Sequence, residues 1–337
     1  MGPKYEITPN SGRFISTGVE RSAIDSFLEA GGMSVDHYDE SQRPPRPRGI
    51  PQGTAVSLIL ANLAAWEVDR ELERLGVGFV RYADDTLVWS HDYSSICRAV
   101  EVLHERAGEM GVAVNREKSP GVSLLVPPAT PAESVEIKAI TSLDFLGYEL
   151  SMGSARIRQR SEEKIRARME ALVYDNLLRE PLFGTQHPDR LTGKVDRDYV
   201  TLLLQLRRYL YGDLAEKQVR RYQRGEIPHR RFKGLMSAYP MLTDSDQLRN
   251  LDGWLLDHIY LALRKCTRLL KSAGYPALPL PHDVPKADLT SLRGLSTSHG
   301  QTIDLSVPSL RRMATVLRRA SRVHGPAGVG SALPYDY

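Results

Sequence analysis

The stretch FVRYADDTLVW, residues 79–89, places two adjacent acids between two short runs of apolar, β-prone residues. This pattern predicts a β-hairpin whose turn carries Asp84 and Asp85. A buried carboxylate is costly unless it is paired or bound to a metal, so a strand core is a poor place for two of them. Neighbouring residues of an extended strand point to opposite faces, and the two carboxylates can therefore converge only at a tight turn.

Converging carboxylates of this kind suit a hard divalent cation such as Mg²⁺, which prefers oxygen ligands. Two such ions, roughly 3.5–4 Å apart, stabilise the attacking and leaving oxygens of a nucleotidyl transfer. The alternative is a plain polar turn, because aspartate is common in turns. For an isolated pair this alternative is favoured, but at average residue usage the tetrad Tyr-Ala-Asp-Asp occurs by chance in only about one such chain in several hundred.

The composition is that of a globular protein with one or two domains: 337 residues, 41% hydrophobic and 26% charged. No apolar run approaches the ~20 residues that span a bilayer, and the N-terminal MGPKYEITPN has no secretory apolar region. The two cysteines, Cys97 and Cys266, lie far apart and show no metal-type spacing. We therefore expect reduced thiols, a cytoplasmic location and no membrane partner.

The net charge of +4 is unevenly distributed along the chain. Residues 156–233 contain 19 Lys or Arg against 11 Asp or Glu, and the rest of the chain is net acidic. A basic half beside an acidic half is typical of a nucleic-acid channel next to a metal site. Charge alone gives nearly equal support to an ordinary solvated helical surface.

Periodicity and turn residues give the remaining elements. The sequence predicts helices over 18–32, 55–75 and 93–111, a strand pair at 112–115 and 122–126, strands within 143–150 and 155–159, and mostly helix from 161 to 274. The Pro-rich stretch 274–285 is predicted to be a linker. A last basic helix is expected behind a Ser306 cap, followed by a disordered tail over 325–337.

Four motifs follow one another in a fixed order: RGIPQG at 48–53, the YADD tetrad 29 residues later at 82–85, GVAVNREKS at 111–119 and LDFLGYEL at 143–150. This ordered set resembles the reverse transcriptases, particularly the bacterial branch of retrons, group II intron maturases and phage-defence enzymes. The resemblance runs from about residue 10 to 150 and more weakly to about 270. It implies an α+β fold, a right-hand polymerase palm with a mostly helical thumb. The implied domains are a remnant helix and connector at 1–48, the palm at 49–160, a thumb-like region at 161–273, and a linker, basic helix and tail at 274–337.

The resemblance also implies roles for individual residues of the palm. Asp84 would be the principal metal ligand and Asp85 its weaker companion, with Mg²⁺ or alternatively Mn²⁺ as cofactor. Tyr82 would pack beneath the primer end. The nucleotide and template would contact Gln52 and Gly53, and the incoming dNTP triphosphate would meet Lys118, a candidate general acid. The alternatives are helix-entry geometry for Gly53 and a solvated turn for Lys118.

A second set of implied roles concerns the primer and the nucleic-acid backbone. The primer-grip hairpin would be Phe145, Leu146, Gly147 and Tyr148, of which Phe145 and Leu146 are equally good core residues. The thumb would contact the backbone of an RNA template paired with a DNA or RNA primer through Arg207, Arg208, Arg220 and Arg221. Basic residues around Tyr222 and Phe232 would form a backbone-and-stacking surface.

One part of the family pattern is not found. A complete reverse transcriptase carries fingers and, before the Pro-Gln-Gly segment, a strand with a third catalytic aspartate. Asp25 is the nearest candidate, but its surroundings favour the helix that follows such a strand. A shortened gene start, a second polypeptide that supplies the missing part, or lost catalysis would each explain this. We therefore expect little or no polymerase activity from the chain by itself.

The sequence favours an RNA-directed DNA polymerase, or the palm-and-thumb part of one, acting by two-metal nucleotidyl transfer and serving in phage defence. The alternative is a non-catalytic RNA-binding or assembly protein that retains the polymerase scaffold. A missing third acid favours that alternative, whereas the Asp84–Asp85 pair, Gln52 and Lys118 weigh against it. An RNA-templated RNA polymerase shares the acid pair but fits the other motifs less well.

Overall fold

A computed structural model describes residues 55–112, 114–115, 119, 121–127, 137–227, 231–293, 295–296, 302–325 and 329. The chain divides into two compact units. The first unit contains Met1–Leu124 and Ala132–Ala139, and the second contains Leu125–Pro131 and Ile140–Tyr337. No helix in the described ranges is both long enough and apolar enough to cross a membrane.

The described part of the first unit is a β-hairpin with helices before and after it. Its elements are α1 (Ala55–Ala64), α2 (Trp66–Leu75), β1 (Gly78–Tyr82), β2 (Asp85–Trp89) and α3 (Tyr93–Glu109). The single helix predicted over 55–75 is thus interrupted at Ala65. Hydrogen bonds still run across the break, from the Ala65 amide to the Ala61 carbonyl and from the Asp69 amide to the Ala65 carbonyl.

Capping residues set the ends of these helices. α2 ends at Gly76, whose φ of 68° is the left-handed conformation that glycine adopts easily. α3 begins after Asp92, whose side chain accepts a 2.7 Å hydrogen bond from the Ser95 amide. The core of the unit is small, with buried side chains Val68, Leu72, Val77 and Ala99.

The second unit combines a three-stranded antiparallel meander with a larger helical part. Its strands and helices are β5 (Ser142–Phe145), β6 (Tyr148–Ser151), β7 (Ser154–Ile157), α4 (Gln159–Val173), α5 (Arg179–Phe183), α6 (Arg197–Tyr211), α7 (Glu216–Gln223), α8 (Ser245–Ser272) and α9 (Leu310–His324). A π-helical turn, Tyr174–Leu178, joins α4 to α5. The short strands β3 (Leu124–Leu125) and β4 (Ala139–Ile140) lie where the chain passes from one unit to the other, and β8 (Leu295–Ser296) pairs with β9 (Thr302–Ile303). Of the predicted pair at 112–115 and 122–126, Leu124–Leu125 is the stretch that forms a strand in the described ranges.

A continuous apolar core fills the second unit and includes its C-terminal part. α9 buries one whole face against this core, through Leu310, Met313, Ala314, Val316, Leu317 and Ala320. The stretch predicted as a linker is also packed into the unit, because the Leu280 carbonyl accepts a 2.8 Å hydrogen bond from the Asp196 amide. His282 is buried between Asp196 and Thr267, at 2.9 Å from each. The cap of α9 lies at Ser309 rather than at the predicted Ser306. The tail from 330 onward lies outside the described residues.

Candidate functional site

The two acids of the opening motif lie at the tip of the β1–β2 hairpin, as the sequence predicts. β1 and β2 pair antiparallel with Tyr82 opposite Asp85, which leaves Ala83 and Asp84 as a two-residue loop. We call Tyr82–Asp85 the acidic turn. Ala83 has a φ of 54°, so the loop has the positive φ at its first position that tight hairpin turns require. The tight turn that the convergence of the carboxylates needs is therefore present.

Both carboxylates of the acidic turn are exposed to solvent. In the part of the chain that the structure describes, no hydrogen bond or ion pair engages either of them. Exposed, unpaired carboxylate oxygens are suitable donors for a hard divalent cation. The same described part contains no group of three or more His, Cys, Asp or Glu side chains that could hold a metal. The turn therefore offers a metal ion two donor residues, which is not a complete ligand set.

An arginine ties the acidic turn to the two helices that precede it. The Nε and Nη2 groups of Arg81 donate to the two carboxylate oxygens of Asp69 at 2.7 and 2.5 Å. Its Nη1 donates to the Asn62 side-chain oxygen at 2.9 Å and to the Ala83 carbonyl at 3.2 Å. The hydrogen bond to Asp69 raises the pKa of Arg81 above its ordinary value. No sequence pattern singles out this arginine, although it directly precedes the tetrad.

The Phe-Leu-Gly-Tyr motif forms a second tight hairpin, within the second unit. Phe145 pairs with Tyr148, and the loop residues Leu146 and Gly147 have φ values of 48° and 81°. Two positive φ values are typical of a type I′ turn. A Cβ at Gly147 would lie 3.0 Å from the Tyr239 hydroxyl, so glycine also allows close packing here. Leu146 is partly exposed at the tip.

Tyr148 anchors this second hairpin to a neighbouring segment of the same unit. Its hydroxyl donates to the Ala238 carbonyl at 3.2 Å and accepts from the Met241 amide at 3.4 Å. Its ring meets that of Tyr239 edge-on, with the ring centroids 5.2 Å apart. Burial raises the pKa of the Tyr148 hydroxyl well above its usual range. These contacts therefore fix the hairpin that the resemblance assigns to the primer grip to the segment 238–241.

The four arginines assigned to the nucleic-acid backbone differ in their surroundings. Arg207 is buried, and it donates to the carbonyls of Asp304 and Ser306 at 2.9 and 2.7 Å. Its guanidinium is directed into the protein, so this arginine does not present a phosphate contact at the surface. Arg208, the next residue, is exposed. Arg220 and Arg221 are also exposed, and each is paired within the chain: Arg220 with Glu216 and Asp304, and Arg221 with Glu226.

The aromatic residues near these arginines are not available for base stacking. Tyr222 and Phe232 are both buried in the core of the second unit. Their rings meet edge-on, with centroids 6.3 Å apart. The sequence prediction of a stacking surface around them is wrong, because a base can stack only on an exposed ring.

α4 carries an exposed stripe of three basic residues. Arg160, Lys164 and Arg168 are all exposed and follow one another at four-residue steps. Residues at this spacing lie on one face of a helix. The opposite face of α4 buries Ile165 and Met169. The four-residue spacing of the basic residues was the signal that would have identified them.

The remaining predicted site residues lie outside the described part of the chain. They are Gln52, Gly53, Lys118 and the alternative acid Asp25. Tyr82, by contrast, is described, and the residue is 39% exposed at the end of β1. It is therefore accessible to a ligand beside the acidic turn.

Comparison with known families identifies the segment that contains both hairpins. Residues 11–150 match the family of the reverse transcriptases. The family is that of the RNA-dependent DNA polymerases, and the matched segment covers the acidic turn and the Phe145–Tyr148 hairpin. No curated protein matches the chain. The match shows that this segment, which is less than half of the chain, is similar to the reverse transcriptases.

Proposed function

We propose that this chain is an RNA-directed DNA polymerase, or the palm-and-thumb part of one, which extends a primer on an RNA template. The observation that carries the proposal is the acidic turn: two exposed carboxylates at a tight hairpin, inside the segment that matches the reverse transcriptases. A purely structural turn has no need of two adjacent, unpaired acids.

Asp84 and Asp85 are the residues that would hold Mg²⁺ or Mn²⁺. A divalent ion, when bound, supplies charge that stabilises the oxygens of a phosphoryl group under transfer. The two carboxylates contribute their negative charge and oxygen donors at the hairpin tip. Tyr82 would support the primer end beside them, because its ring is accessible at the end of β1. The roles of Gln52, Gly53 and Lys118 toward the nucleotide follow from the resemblance and are part of the same proposal.

The primer-grip role of the second hairpin is supported by its anchoring. A segment that orients the primer end needs a rigid support, since small displacements of a reacting group cost much of the rate. Tyr148 provides that support through its two hydrogen bonds to Ala238 and Met241. Leu146 would then be the side chain that meets the primer.

The backbone of the nucleic acid would be contacted by exposed cations of the second unit. We assign this role to Arg160, Lys164 and Arg168 on α4, together with Arg208 on α6, because all four are exposed and none has an ion pair in the described ranges. Arg220 and Arg221 remain in the proposal as exposed but internally paired residues. Each phosphate contact steepens the salt dependence of binding, and this dependence measures their number.

The deciding experiment measures metal binding and primer extension on the same purified chain. Tb³⁺ bound at the acidic turn would be sensitised by the adjacent Tyr82. We expect Asp84→Asn to weaken Tb³⁺ binding by about tenfold or more. Any extension of a primed RNA template with dNTPs in Mg²⁺ or Mn²⁺ should disappear in the same variant. Glu101→Gln is the matched control, since it neutralises another exposed acid, on α3 of the same unit.

Two results would end this proposal. One is Tb³⁺ binding that is unchanged in an Asp84→Asn, Asp85→Asn double variant. The other is primer extension that persists in that variant.

A non-catalytic RNA-binding protein is the second candidate, and the observation that favours it is the two-residue donor set in the described ranges. RNA affinity at wild-type strength, together with Tb³⁺ binding that is unchanged in the double variant, would support it. A role in phage defence belongs to the main proposal and predicts that protection against phage in a plaque assay is lost on Asp84→Asn. A second polypeptide that supplies a third acid is proposed as a partner.

A further inference from the structure

The acidic turn contains a backbone conformation that its own residue does not favour. Ala83 has a φ of 54°, a left-handed conformation that is unfavourable for residues with a Cβ. Glycine would adopt it readily, but the chain has alanine here. Such a conformation persists where the surrounding structure holds it in place.

Arg81 makes the contact that holds it. Its Nη1 group donates to the Ala83 carbonyl at 3.2 Å, at the first residue of the loop. The same nitrogen donates to the side chain of Asn62 on α1 at 2.9 Å. The other side of the guanidinium forms a bidentate pair with Asp69 on α2. One partly buried side chain, 10% exposed, thus connects both helices to the loop.

We propose that Arg81 is a positioning residue for the acidic turn: it fastens Ala83 to α1 and α2 and thereby fixes the direction of the Asp84 and Asp85 carboxylates. The consequence for metal binding rests on the proposed function, whereas the bracing of the turn does not. The residue touches no reacting atom and acts through the turn.

The geometry favours a mechanical role over a role as counter-ion. The bidentate pair of Arg81 with Asp69 is neutral as a unit, so little positive charge remains to offset the acids of the turn. The three anchors also need nitrogen donors fixed in one plane, which an arginine has and a lysine lacks. Arg81→Lys therefore keeps the positive charge and removes the planar set of nitrogen donors.

A purely structural role is the alternative, and a second arginine of the same unit serves as its control. Arg106 on α3 pairs with Glu71 on α2 and with Glu109 on its own helix. It links elements of the first unit as Arg81 does, but none of its bonds reaches the acidic turn. Arg106→Lys should therefore reproduce the structural effect of Arg81→Lys without its effect on the turn.

The test compares amide hydrogen exchange over residues 78–89 in metal-free buffer, followed by Tb³⁺ titration. We expect Arg81→Lys to speed exchange in this hairpin by about tenfold and to weaken Tb³⁺ binding by about 10–100-fold, the usual effect of removing a group that orients a metal ligand. Arg106→Lys should leave both quantities at their wild-type values. Far-UV circular dichroism establishes that both variants are folded.

Asn62→Ala provides a milder variant that keeps the Asp69 pair, and it should loosen the hairpin less than Arg81→Lys does. Equal exchange in Arg81→Lys and Arg106→Lys would overturn the inference. Faster exchange in Arg81→Lys, combined with Tb³⁺ binding that does not depend on Asp84, would support the role of Arg81 in holding the turn and refute the proposed function.

Discussion

Replacing Arg207 with methionine tests whether this arginine belongs to the core or to the nucleic-acid surface. Its side chain is 8% exposed, and two of its nitrogens donate to the carbonyls of Asp304 and Ser306 at 2.9 and 2.7 Å. It also lies 3.9 Å from the fully buried carboxylate of Glu216 and 3.5 Å from that of Asp304. Methionine keeps much of the apolar stem but removes every one of these contacts.

The expected loss follows from breaking a buried ion pair, which costs about 3–5 kcal/mol when one partner is removed. The lower end applies here, because Glu216 keeps Arg220 and Arg312 as partners. A loss of about 3 kcal/mol lowers the Tm of a domain of roughly 150–250 residues by about 6–12 °C. Burial lowers the pKa of Arg207, which agrees with a desolvated guanidinium held by these contacts.

Urea unfolding followed by circular dichroism measures this loss, with Arg208→Met as the matched control. Arg208 is the adjacent residue and is exposed, so its replacement should change stability by less than about 0.5 kcal/mol. RNA affinity should respond in the opposite way. Arg207→Met should leave the affinity of the folded protein unchanged, whereas Arg208→Met should reduce the salt slope of binding by about 0.7–0.9. Equal stability of the two variants would refute our account of Arg207.

Three further predictions concern the packing of the second unit and the thiols. Gly234→Ala should lower the free energy of unfolding in urea by about 3 kcal/mol, because the φ of Gly234 is 79° and a Cβ would lie 2.3 Å from a backbone nitrogen. Gly184→Ala is the control and should lower it by about 1 kcal/mol, because Gly184 has a φ of 67° but a Cβ there would meet no atom within 4 Å. Iodoacetamide should alkylate Cys97 and leave Cys266 unmodified in the native protein, since Cys266 is buried and burial raises its pKa to about 12. Mass spectrometry of the peptides measures the labelling, and equal labelling of the two cysteines would contradict the prediction. Burial raises the pKa of Asp252 above its ordinary value of 3.8. The contribution of the protonated carboxyl to stability is therefore present below pH 3.8 and is lost as the pH rises through the raised pKa. Urea unfolding at stepped pH should show the stability of wild type, relative to Asp252→Asn, falling over that window.

The β1–β2 hairpin could be predicted because its signal is local. Alternating apolar residues around the Ala83–Asp84 loop specify a tight turn within about ten residues of sequence. The Phe145–Tyr148 hairpin, in contrast, was implied by the family resemblance. The break at Ala65 could not be predicted, because the apolar spacing continues across it and the hydrogen bonds do as well. The packed course of residues 274–285 was also missed, since a Pro-rich stretch looks like a linker until its distant partners are known.

The roles of the arginines depend on contacts that sequence spacing shows only in part. Arg207 follows Leu203 by four residues and precedes Leu210 by three, so helical periodicity places it on the buried face of α6, and this signal was available. Its acceptors, however, are 97 and 99 residues away along the chain. No local pattern identifies them.

The excess of basic residues over 156–233 therefore overstates the surface that nucleic acid can meet. Part of that charge is neutralised inside the second unit, where Arg207 and Arg220 share the carboxylates of Glu216 and Asp304. Arg166 is likewise paired with Glu162, and its guanidinium lies over the ring of Trp254. A phosphate competes poorly for a guanidinium that is already held by a carboxylate, because the existing pair must first be broken. Binding should consequently depend most on the exposed cations without such partners, among them the α4 stripe and Arg208.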